Sequence, residues 1–257
     1  MGGKRTLLIV LATVGALLIA AGGVGFWLVA QATKSDPVSA ASALADFQDA
    51  DDGTRGVDGA PLPGVYTYDV IGTEGGGAAS VKVSRELPGQ AQMIVWQRPG
   101  GFETRLAYSG EHVEGARYEL ASAGIAQTWS RTKLSLLGTT SDEDAVLDPP
   151  ALWIPADLSE GAGWEARYEA DGSTTTHSSE VTGTETVSVG GSQVEAVVIE
   201  RTTSITGSVT GQWTDVYWWS AELALPVQMR VEGESREGIG VFSQTATLTL
   251  SASEPQV

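Results

Sequence analysis

The sequence of 257 residues contains no cysteine. This absence excludes disulfide bonds, thiolate metal ligands and cysteine nucleophiles, and it excludes the acylated cysteine by which bacterial lipoproteins are anchored. Any link to a membrane must therefore be the peptide chain itself. Asparagine is also absent and lysine is scarce, whereas Ala, Gly, Thr and Val are abundant. We interpret this bias as that of a high-GC bacterium of the Gram-positive type.

Positive charge is scarce after the first residues of the chain. Lys4 and Arg5 account for two of the 15 basic residues, which leaves 13 basic against all 32 acidic residues, a formal charge of −19. A surface of this sign repels phosphate backbones and anionic lipid headgroups. We therefore expect neither a nucleic-acid partner nor peripheral adhesion to an anionic membrane surface.

Charge is absent from residues 7–30, a run of 24 residues rich in apolar side chains. At about 1.5 Å per residue, a helix of this length spans a hydrocarbon core of about 30 Å. We predict a transmembrane signal-anchor helix at residues 7–30, with Lys4 and Arg5 holding residues 1–6 in the cytoplasm and the remainder outside. The alternative is a secreted protein cleaved near Ala32, since Ala30-Gln31-Ala32 fits the small-residue cleavage pattern.

Residues 31–63 are predicted to form a juxtamembrane helix followed by a flexible linker. Asp36-Pro37 is typical of a helix start. The apolar residues that follow recur at helical spacing: Val38, Ala41, Leu44 and Phe47. A stretch rich in Gly, Pro and Asp then favours an exposed linker. We place an extracytoplasmic β domain at residues 64–253 and a tail at residues 254–257.

Alternating apolar and polar residues dominate the rest of the chain and predict half-buried strands. The pattern is clearest at residues 102–108, 227–231 and 242–250. Gly190-Gly191 predicts a tight hairpin turn. The prolines and glycines of residues 148–163 predict a break between two β-rich halves. We predict an all-β ectodomain, a strongly curved antiparallel sheet or half-barrel made of hairpins.

Four segments of the C-terminal half follow a recognisable order: Gly163-Trp164, residues 181–191, residues 213–219 and residues 223–227. The chain resembles bacterial envelope proteins in which a G-x-W strand, a G-x-E-x-V-x-V hairpin and a W-rich strand leading to G-L-P-V occur in this order. Those proteins are similar to the lipoprotein-carrier type of fold, so the resemblance implies a curved antiparallel sheet that can cup an apolar ligand. Ala224 stands where that pattern has glycine. The matched residues describe strands and turns, and no carrier-specific residue is carried over.

Candidate catalytic patterns are few. Ser130-Arg131-Thr132-Lys133 has the S-x-x-K spacing of penicillin-recognising enzymes, but it lies in a strand-like run, and the companion S-D-N is impossible without asparagine. His112 and His177 lie in polar alternating stretches and are expected to be surface imidazoles on strands. Asp142-Glu143-Asp144 lacks the glycine and terminal glutamate of a calcium loop, so we expect a solvated acidic loop. We predict no enzymatic activity, no cofactor and no metal site.

The strand predicted at residues 213–219 has large apolar side chains on both faces. Trp213, Tyr217 and Trp219 share one face with Asp215, and Val216 and Trp218 lie on the other. Both faces of such a strand are expected to be covered by other parts of the protein or by a ligand. The two coverings are either core and a second packing element, or core and a ligand cavity. In the second case the candidate ligand-lining residues are Trp129, Trp164, Trp213, Tyr217, Trp219 and Met229.

These observations lead to two functional hypotheses. The first is a membrane-anchored extracytoplasmic binding or scaffolding protein that holds a hydrophobic or amphiphilic envelope molecule in a curved sheet. The second is a structural or interaction domain that recruits other envelope proteins without a small-molecule ligand. A cavity lined by the aromatic residues favours the first hypothesis, and a packed interior with an exposed apolar patch favours the second.

Overall fold

A computed structural model of the protein describes residues 35–78, 81–136, 139–170 and 172–257. The predicted cytoplasmic segment 1–6 and signal anchor 7–30 lie outside these residues. In the described part of the chain, no helix is long and apolar enough to cross a membrane.

One helix and thirteen strands make up the described fold. The helix, α1, is Ala40–Ala50. The strands are β1 (Gly64–Ala78), β2 (Val81–Glu86), β3 (Gln90–Arg98), β4 (Gly101–Ala107), β5 (His112–Ala121), β6 (Gly124–Leu136), β7 (Thr139–Pro155), β8 (Gly163–Ala170), β9 (Ser173–Val189), β10 (Ser192–Gly207), β11 (Val209–Ser220), β12 (Leu225–Glu237) and β13 (Gly240–Leu250). Neighbouring strands pair antiparallel, so the prediction of an all-β domain is confirmed.

The strands form a single sheet in the order β7-β6-β5-β4-β3-β1-β13-β12-β11-β10-β9-β8, and β2 pairs with β1 off this path. The two end strands, β7 and β8, pack side by side, so the sheet is a nearly closed barrel. We call the contact between β7 and β8 the seam. Within residues 139–170 the seam has no ladder of backbone hydrogen bonds. Side chains hold it instead, with Leu147 and Ala151 of β7 against Ala166 and Tyr168 of β8.

Tight turns connect neighbouring strands as the sequence predicts. β9 and β10 meet at Gly190-Gly191, whose φ angles are 58° and 86°. Positive values at both central residues belong to a type I′ turn, which glycine adopts at little steric cost. Ala224, just before β12, has a φ of 51°. It therefore takes the left-handed conformation at the position where the resembling proteins have glycine.

The break predicted at residues 148–163 is wrong on its N-terminal side. β7 continues through Asp148-Pro149-Pro150 to Pro155, and only residues 156–162 separate it from β8. Proline has no N–H to donate, and it is tolerated here because β7 is an end strand whose ladder joins it to β6. The pairing register shifts between Gln127 and Trp129, opposite the prolines.

The helix α1 packs on the outer face of β1 and β3. Its N-cap is Ser39 rather than the predicted Asp36. Its buried side chains belong to a small apolar cluster made of Ala43, Phe47, Val65, Ile94 and Trp96. The Trp96 Nε1–H also donates to the Phe47 carbonyl at 3.1 Å. The predicted juxtamembrane helix is thus attached to the β domain by both packing and a buried hydrogen bond.

The main apolar core fills part of the barrel interior. Its largest fully buried apolar side chains include Tyr66, Tyr68, Ile199, Leu225, Leu248 and Leu250. The face alternation predicted for β13 is confirmed, because Ala246, Leu248 and Leu250 are buried whereas Thr245 is exposed. The rest of the interior contains buried polar and charged side chains.

Candidate functional site

Interior side chains fall into cross-strand rows, because residues directly opposite each other on antiparallel strands share a face. Three successive rows differ in chemistry. The first, the apolar row, contains Val181, Ile199, Tyr217, Met229, Leu248 and Val70. The second, the Arg201 row, contains Trp164, Ser179, Arg201, Asp215, Val231 and Ala246. The third, the Glu74 row, contains His177, Thr203, Trp213, Gly233, Gln244, Glu74 and Arg85.

Arg201 is the largest fully buried side chain of the interior, with 2% of its surface exposed. Its Nε–H donates to the Ser179 hydroxyl at 3.0 Å and its Nη2–H donates to the Trp153 carbonyl at 2.8 Å. The guanidinium carbon lies 3.7 Å from the centroid of the Trp153 ring and 5.1 Å from that of Tyr217. Nη1 is buried and has no hydrogen-bond partner in the described part of the chain. The guanidinium therefore keeps one unused donor edge inside the barrel.

The ionisable neighbours of Arg201 are shifted by burial. Desolvation raises the pKa of Asp215 to about 6, although the charge of Arg201 acts in the opposite direction. Desolvation, together with the charge of Arg201, lowers the pKa of His177 to about 4. At neutral pH His177 is therefore uncharged. Its Nδ1 lies 2.8 Å from the Thr203 hydroxyl.

A second group, which we call the Glu74 cluster, comprises Glu74, Arg85, His112 and Glu114. Arg85 donates to Glu74 Oε1 from Nε at 2.8 Å and from Nη2 at 2.5 Å. His112 Nδ1 lies 2.5 Å from Glu74 Oε2, and His112 Nε2 lies 3.3 Å from Glu114 Oε1. The last contact has ion-pair distance without hydrogen-bond alignment, since Nε2 lacks a hydrogen-bond partner among the described residues. The cluster balances two cations with two carboxylates.

The pKa values of this cluster favour its charged form. Burial opposes protonation of His112, but the neighbouring carboxylates of Glu114 and Glu74 outweigh it and raise the pKa of His112 to about 9. Burial also opposes ionisation of Glu74, yet His112 and Arg85 together hold the pKa of that carboxyl below its ordinary value. The imidazole stacks on Tyr108 with ring centroids 4.6 Å apart. His112 is therefore a buried imidazolium at neutral pH.

The prediction of surface imidazoles is wrong for His112, which is 1% exposed, whereas His177 is half-buried. Both lie at inward positions of their strands. The polar residues around them suggested an exposed face. Their partners come from distant segments, since Glu74 precedes His112 by 38 residues and Thr203 follows His177 by 26. Such pairing is not visible in local sequence.

The catalytic patterns considered for the sequence are not assembled in the structure. Both ring nitrogens of His112 face carboxylates, and the nearby Ser109 hydroxyl accepts from the His112 backbone N–H at 3.1 Å. Ser130 and Lys133 both lie in β6, where a spacing of three places them on opposite faces. In the described residues, no group of three or more His, Cys, Asp or Glu side chains has the arrangement of a metal site.

The acidic segment predicted as a loop is part of β7. Asp142 accepts two hydrogen bonds from Arg131 of β6, at 2.8 Å and 2.7 Å. Asp144 lies directly opposite Arg131 in the strand pairing. The acidic residues of this strand therefore face a basic residue of the neighbouring strand rather than solvent alone.

The six predicted ligand-lining residues are divided between packed core, interior rows and the outer face. Tyr217, Trp219 and Met229 are buried in the main core. Trp164 is partly buried against that core, and its Nε1–H is buried without a partner in the described residues. Trp213 packs on Phe242 with ring centroids 5.8 Å apart.

Trp129 has a different environment from the other five. Its ring lies beside Gly115 and 5.5 Å from the Arg117 guanidinium carbon. These two residues are on the face of β5 opposite Ala116 and Tyr118, which are buried in the core. Trp129 is therefore on the outside of the barrel, away from the interior rows.

Arg201 was missed because both sets of alternate positions of β10 contain buried residues. Ala196 and Val198 are buried at even positions, and Ile199, Arg201 and Thr203 are buried at odd positions. Alternation along the sequence therefore does not show which face of β10 Arg201 occupies. The orientation of Glu74 could have been predicted from the sequence. Tyr66, Tyr68 and Val70 alternate along β1 and face inward, and the same alternation places Glu74 inward.

Two grooves lie on the surface near the ends of the strands. A groove of about 390 Å³ is lined by residues 204–206, 210–212, Glu234 and Arg236. A second groove of about 220 Å³ is lined by residues 75–76, 82–84, Glu234, Val241 and Ser243. Neither groove includes any of the six aromatic and methionine residues predicted to line a ligand.

Comparisons with known proteins give little beyond this geometry. No family model matches the chain, and no curated protein matches it. The solved structure of the hypothetical lipoprotein YmcC from Escherichia coli K12 is similar, with 12% sequence identity over 72% of this chain and 86% of that chain and a TM-score of 0.29. Similarity at this level does not transfer a function, so the interior rows are the evidence for one.

Proposed function

We propose that this chain is a membrane-anchored extracytoplasmic binding protein that holds an amphiphilic molecule inside its barrel-like sheet. The observation that carries this proposal is the change of chemistry across the three interior rows. The apolar row offers contacts to a hydrocarbon group, and the next two rows offer hydrogen-bonding and charged groups. An amphiphile has the same division between its two ends.

Burying polar groups without partners costs free energy, so a barrel that needs only a packed core has no use for them. In the Arg201 row, however, the donors of Arg201 Nη1 and Trp164 Nε1 are buried without partners among the described residues. In the Glu74 row, the Gln244 Nε2 donor is also buried without a partner in the described part of the chain. Unused donors at inward positions support a binding role, because a ligand with acceptor groups satisfies them.

The second part of the proposal concerns the location of the protein and its orientation in the membrane. We expect residues 7–30 to anchor it, with Lys4 and Arg5 in the cytoplasm and the β domain outside. Protease treatment of intact cells should digest the β domain while leaving residues 1–6 protected. Protection of the β domain would reverse this orientation, and a mature N-terminus near Thr33 would show cleavage instead.

Binding is tested with cis-parinaric acid methyl ester, a neutral fluorescent amphiphile, added to the purified protein. We expect saturable binding by the wild type, weakened at least tenfold by Trp213→Ala, because Trp213 lies in the Glu74 row against Phe242. Trp129→Ala is the matched control, since Trp129 lies on the outer face and its loss should leave binding unchanged.

A second candidate function is an interaction domain that recruits other envelope proteins. It is supported by the packing of Tyr217, Trp219 and Met229, which are buried in the core rather than lining open space. Absence of saturable binding of the ester, together with intact folding, would favour this second function over the first.

A further inference from the structure

We infer that the Arg201 row binds an anionic group of the ligand, held by Arg201 Nη1–H and Trp164 Nε1–H next to the seam. This inference rests on the proposed function and specifies the chemistry of the ligand. Two observations lead to it: these side chains have unused donors, and Arg201 has no ion-pair partner among the residues that the structure describes.

The two donors lie on one interior row. Trp164 of β8 is directly opposite Ser179 of β9, and Ser179 is directly opposite Arg201 of β10. Directly opposite residues have Cβ atoms about 5 Å apart, so Trp164 and Arg201 flank Ser179 on the same face. Both N–H groups are buried, and both lack an acceptor in the described part of the chain. Two buried donors on one interior row match a group with more than one acceptor oxygen.

The charge of Arg201 makes an anion the matching group. Arg201 donates hydrogen bonds to a hydroxyl and to a backbone carbonyl, and it lies over the rings of Trp153 and Tyr217, all of them neutral groups. Among the described residues no carboxylate forms an ion pair with it, although Asp215 lies directly opposite on β11. A buried guanidinium without a paired anion is costly, and a carboxylate or phosphate oxygen accepting from Nη1 offsets that cost.

The Glu74 cluster provides an internal contrast. Its Arg85 is also buried, but it donates two hydrogen bonds to the Glu74 carboxylate, so its charge is already balanced. An anion placed there would compete with Glu74 and Glu114. Of the two buried arginines, Arg201 is therefore the one whose charge is left for a ligand.

The position of Arg201 also suggests how an anionic head reaches it. Arg201 extends from β10 to the Trp153 carbonyl on β7, so it bridges toward the seam from inside. Trp164 belongs to β8, the other strand of the seam. Because no backbone ladder closes the seam in the described residues, side-chain movement alone can open a path between β7 and β8.

The test compares two probes that differ only in charge, cis-parinaric acid and its methyl ester. The wild type should bind the acid at least tenfold more tightly than the ester at neutral pH. Trp164→Phe, which keeps the ring but removes the N–H, should reduce the preference several-fold. Arg201→Gln should abolish it, and Arg201→Lys should keep part of it. Arg230→Gln is the control, because Arg230 is exposed and lies over Trp218 on the outer face.

A third experiment distinguishes binding of an amphiphile from binding of a free anion. Inorganic phosphate at millimolar concentration should leave the melting temperature unchanged if the tail is needed, and should raise it in the wild type but not in Arg201→Gln if a free anion suffices. That second result would support the anion site while removing the proposed amphiphile-binding function.

Two results would overturn the inference. Equal affinity of the wild type for the acid and the ester would exclude the anion site while leaving the proposed function standing, and this comparison needs no variant to fold. A preference that persists unchanged in folded Arg201→Gln and Trp164→Phe would place the anion elsewhere. Failure to bind the acid, the ester and phosphate would remove both proposals.

Discussion

Nδ1 of His112 lies 2.5 Å from Oε2 of Glu74, and the two side chains are 1% and 0% exposed. Their strands, β5 and β1, are separated in the sheet by β4 and β3. The contact therefore crosses the barrel interior and ties together strands that share no backbone hydrogen bonds. Arg85 on the other oxygen of Glu74 extends the same connection to β2.

This ion pair predicts a pH dependence of stability above neutrality. His112 titrates near 6.5 when unfolded and near 9 when folded. A raised folded pKa stabilises the protein fully below the unfolded value, and that stabilisation is lost as pH rises through the folded value. We expect the free energy of unfolding to fall by about 3 kcal/mol between pH 6.5 and about 9.5. Urea melts across this range measure it.

Between pH 6.5 and about 9.5 the change in stability reports mainly on His112, because the pKa shifts of His177 and Asp215 act at lower pH. The depressed pKa of His177 adds stability as pH rises from about 4 to 6.5, and the raised pKa of Asp215 removes stability as pH rises from 3.8 to about 6. Both effects are complete near pH 6.5. His112→Gln should flatten the dependence between pH 6.5 and 9, and an unchanged slope in that variant would refute the assignment.

Removing the carboxylate of the Glu74 cluster should be strongly destabilising. Glu74→Gln leaves two buried cations, Arg85 and His112, with only the partly exposed Glu114 carboxylate beside them, so we expect a loss of about 3–5 kcal/mol. Glu234→Gln is the control, because Glu234 pairs with Arg236 at side-chain exposures of 41% and 60%. That surface pair should contribute less than about 1 kcal/mol. Similar losses in both variants, measured by denaturant melts, would contradict a buried charge network.

Trp219 should behave as a core residue. It is 5% exposed within the main core, so Trp219→Ala should cost about 3–5 kcal/mol of unfolding free energy. Trp129→Ala should cost about 1–2 kcal/mol, since its ring is partly exposed and lies against the guanidinium of Arg117. If Trp219→Ala melts like the wild type and instead weakens probe binding, the residue lines a cavity.

The attachment of α1 can be measured through Phe47. Its side chain is 3% exposed, and its ring centroid lies 6.5 Å from that of Trp96. Phe47→Ala should lower the free energy of unfolding by about 3 kcal/mol, as for other buried aromatics. Gln48→Ala, at the exposed neighbouring position, should change it by less than about 0.5 kcal/mol. Equal effects would mean that the helix contributes no packing to the domain.

The sequence was sufficient for the fold class and for many element positions. Period-two alternation depends on strand geometry alone, so the strands around residues 102–108 and 242–250 were readable. Gly190-Gly191 was readable as a turn because few other residues accept two positive φ angles. The prolines at residues 149–150 misled the prediction, since their tolerance depends on β7 lying at the end of the sheet.

The candidate site could be predicted only in part. Trp164 and Trp213 were named from the sequence, and the structure places both on interior rows. Arg201 was not named, because β10 has buried residues at both odd and even positions, so its sequence does not show which face is inward. Trp129 was named and lies outside, because aromatic character alone does not reveal which face a residue occupies.

What the sequence determined by itself is what depends on local geometry and composition: acidic surface charge, absence of thiol chemistry, antiparallel strands and the glycine turns. What only the tertiary structure decided is which charges are removed from water together. The pairing of Glu74 with His112 and the lack of an ion-pair partner for Arg201 in the described residues arise where strands distant in sequence meet across the interior. Desolvation and charge pairing act through space, so their outcome depends on the register of the closed sheet rather than on neighbours along the chain.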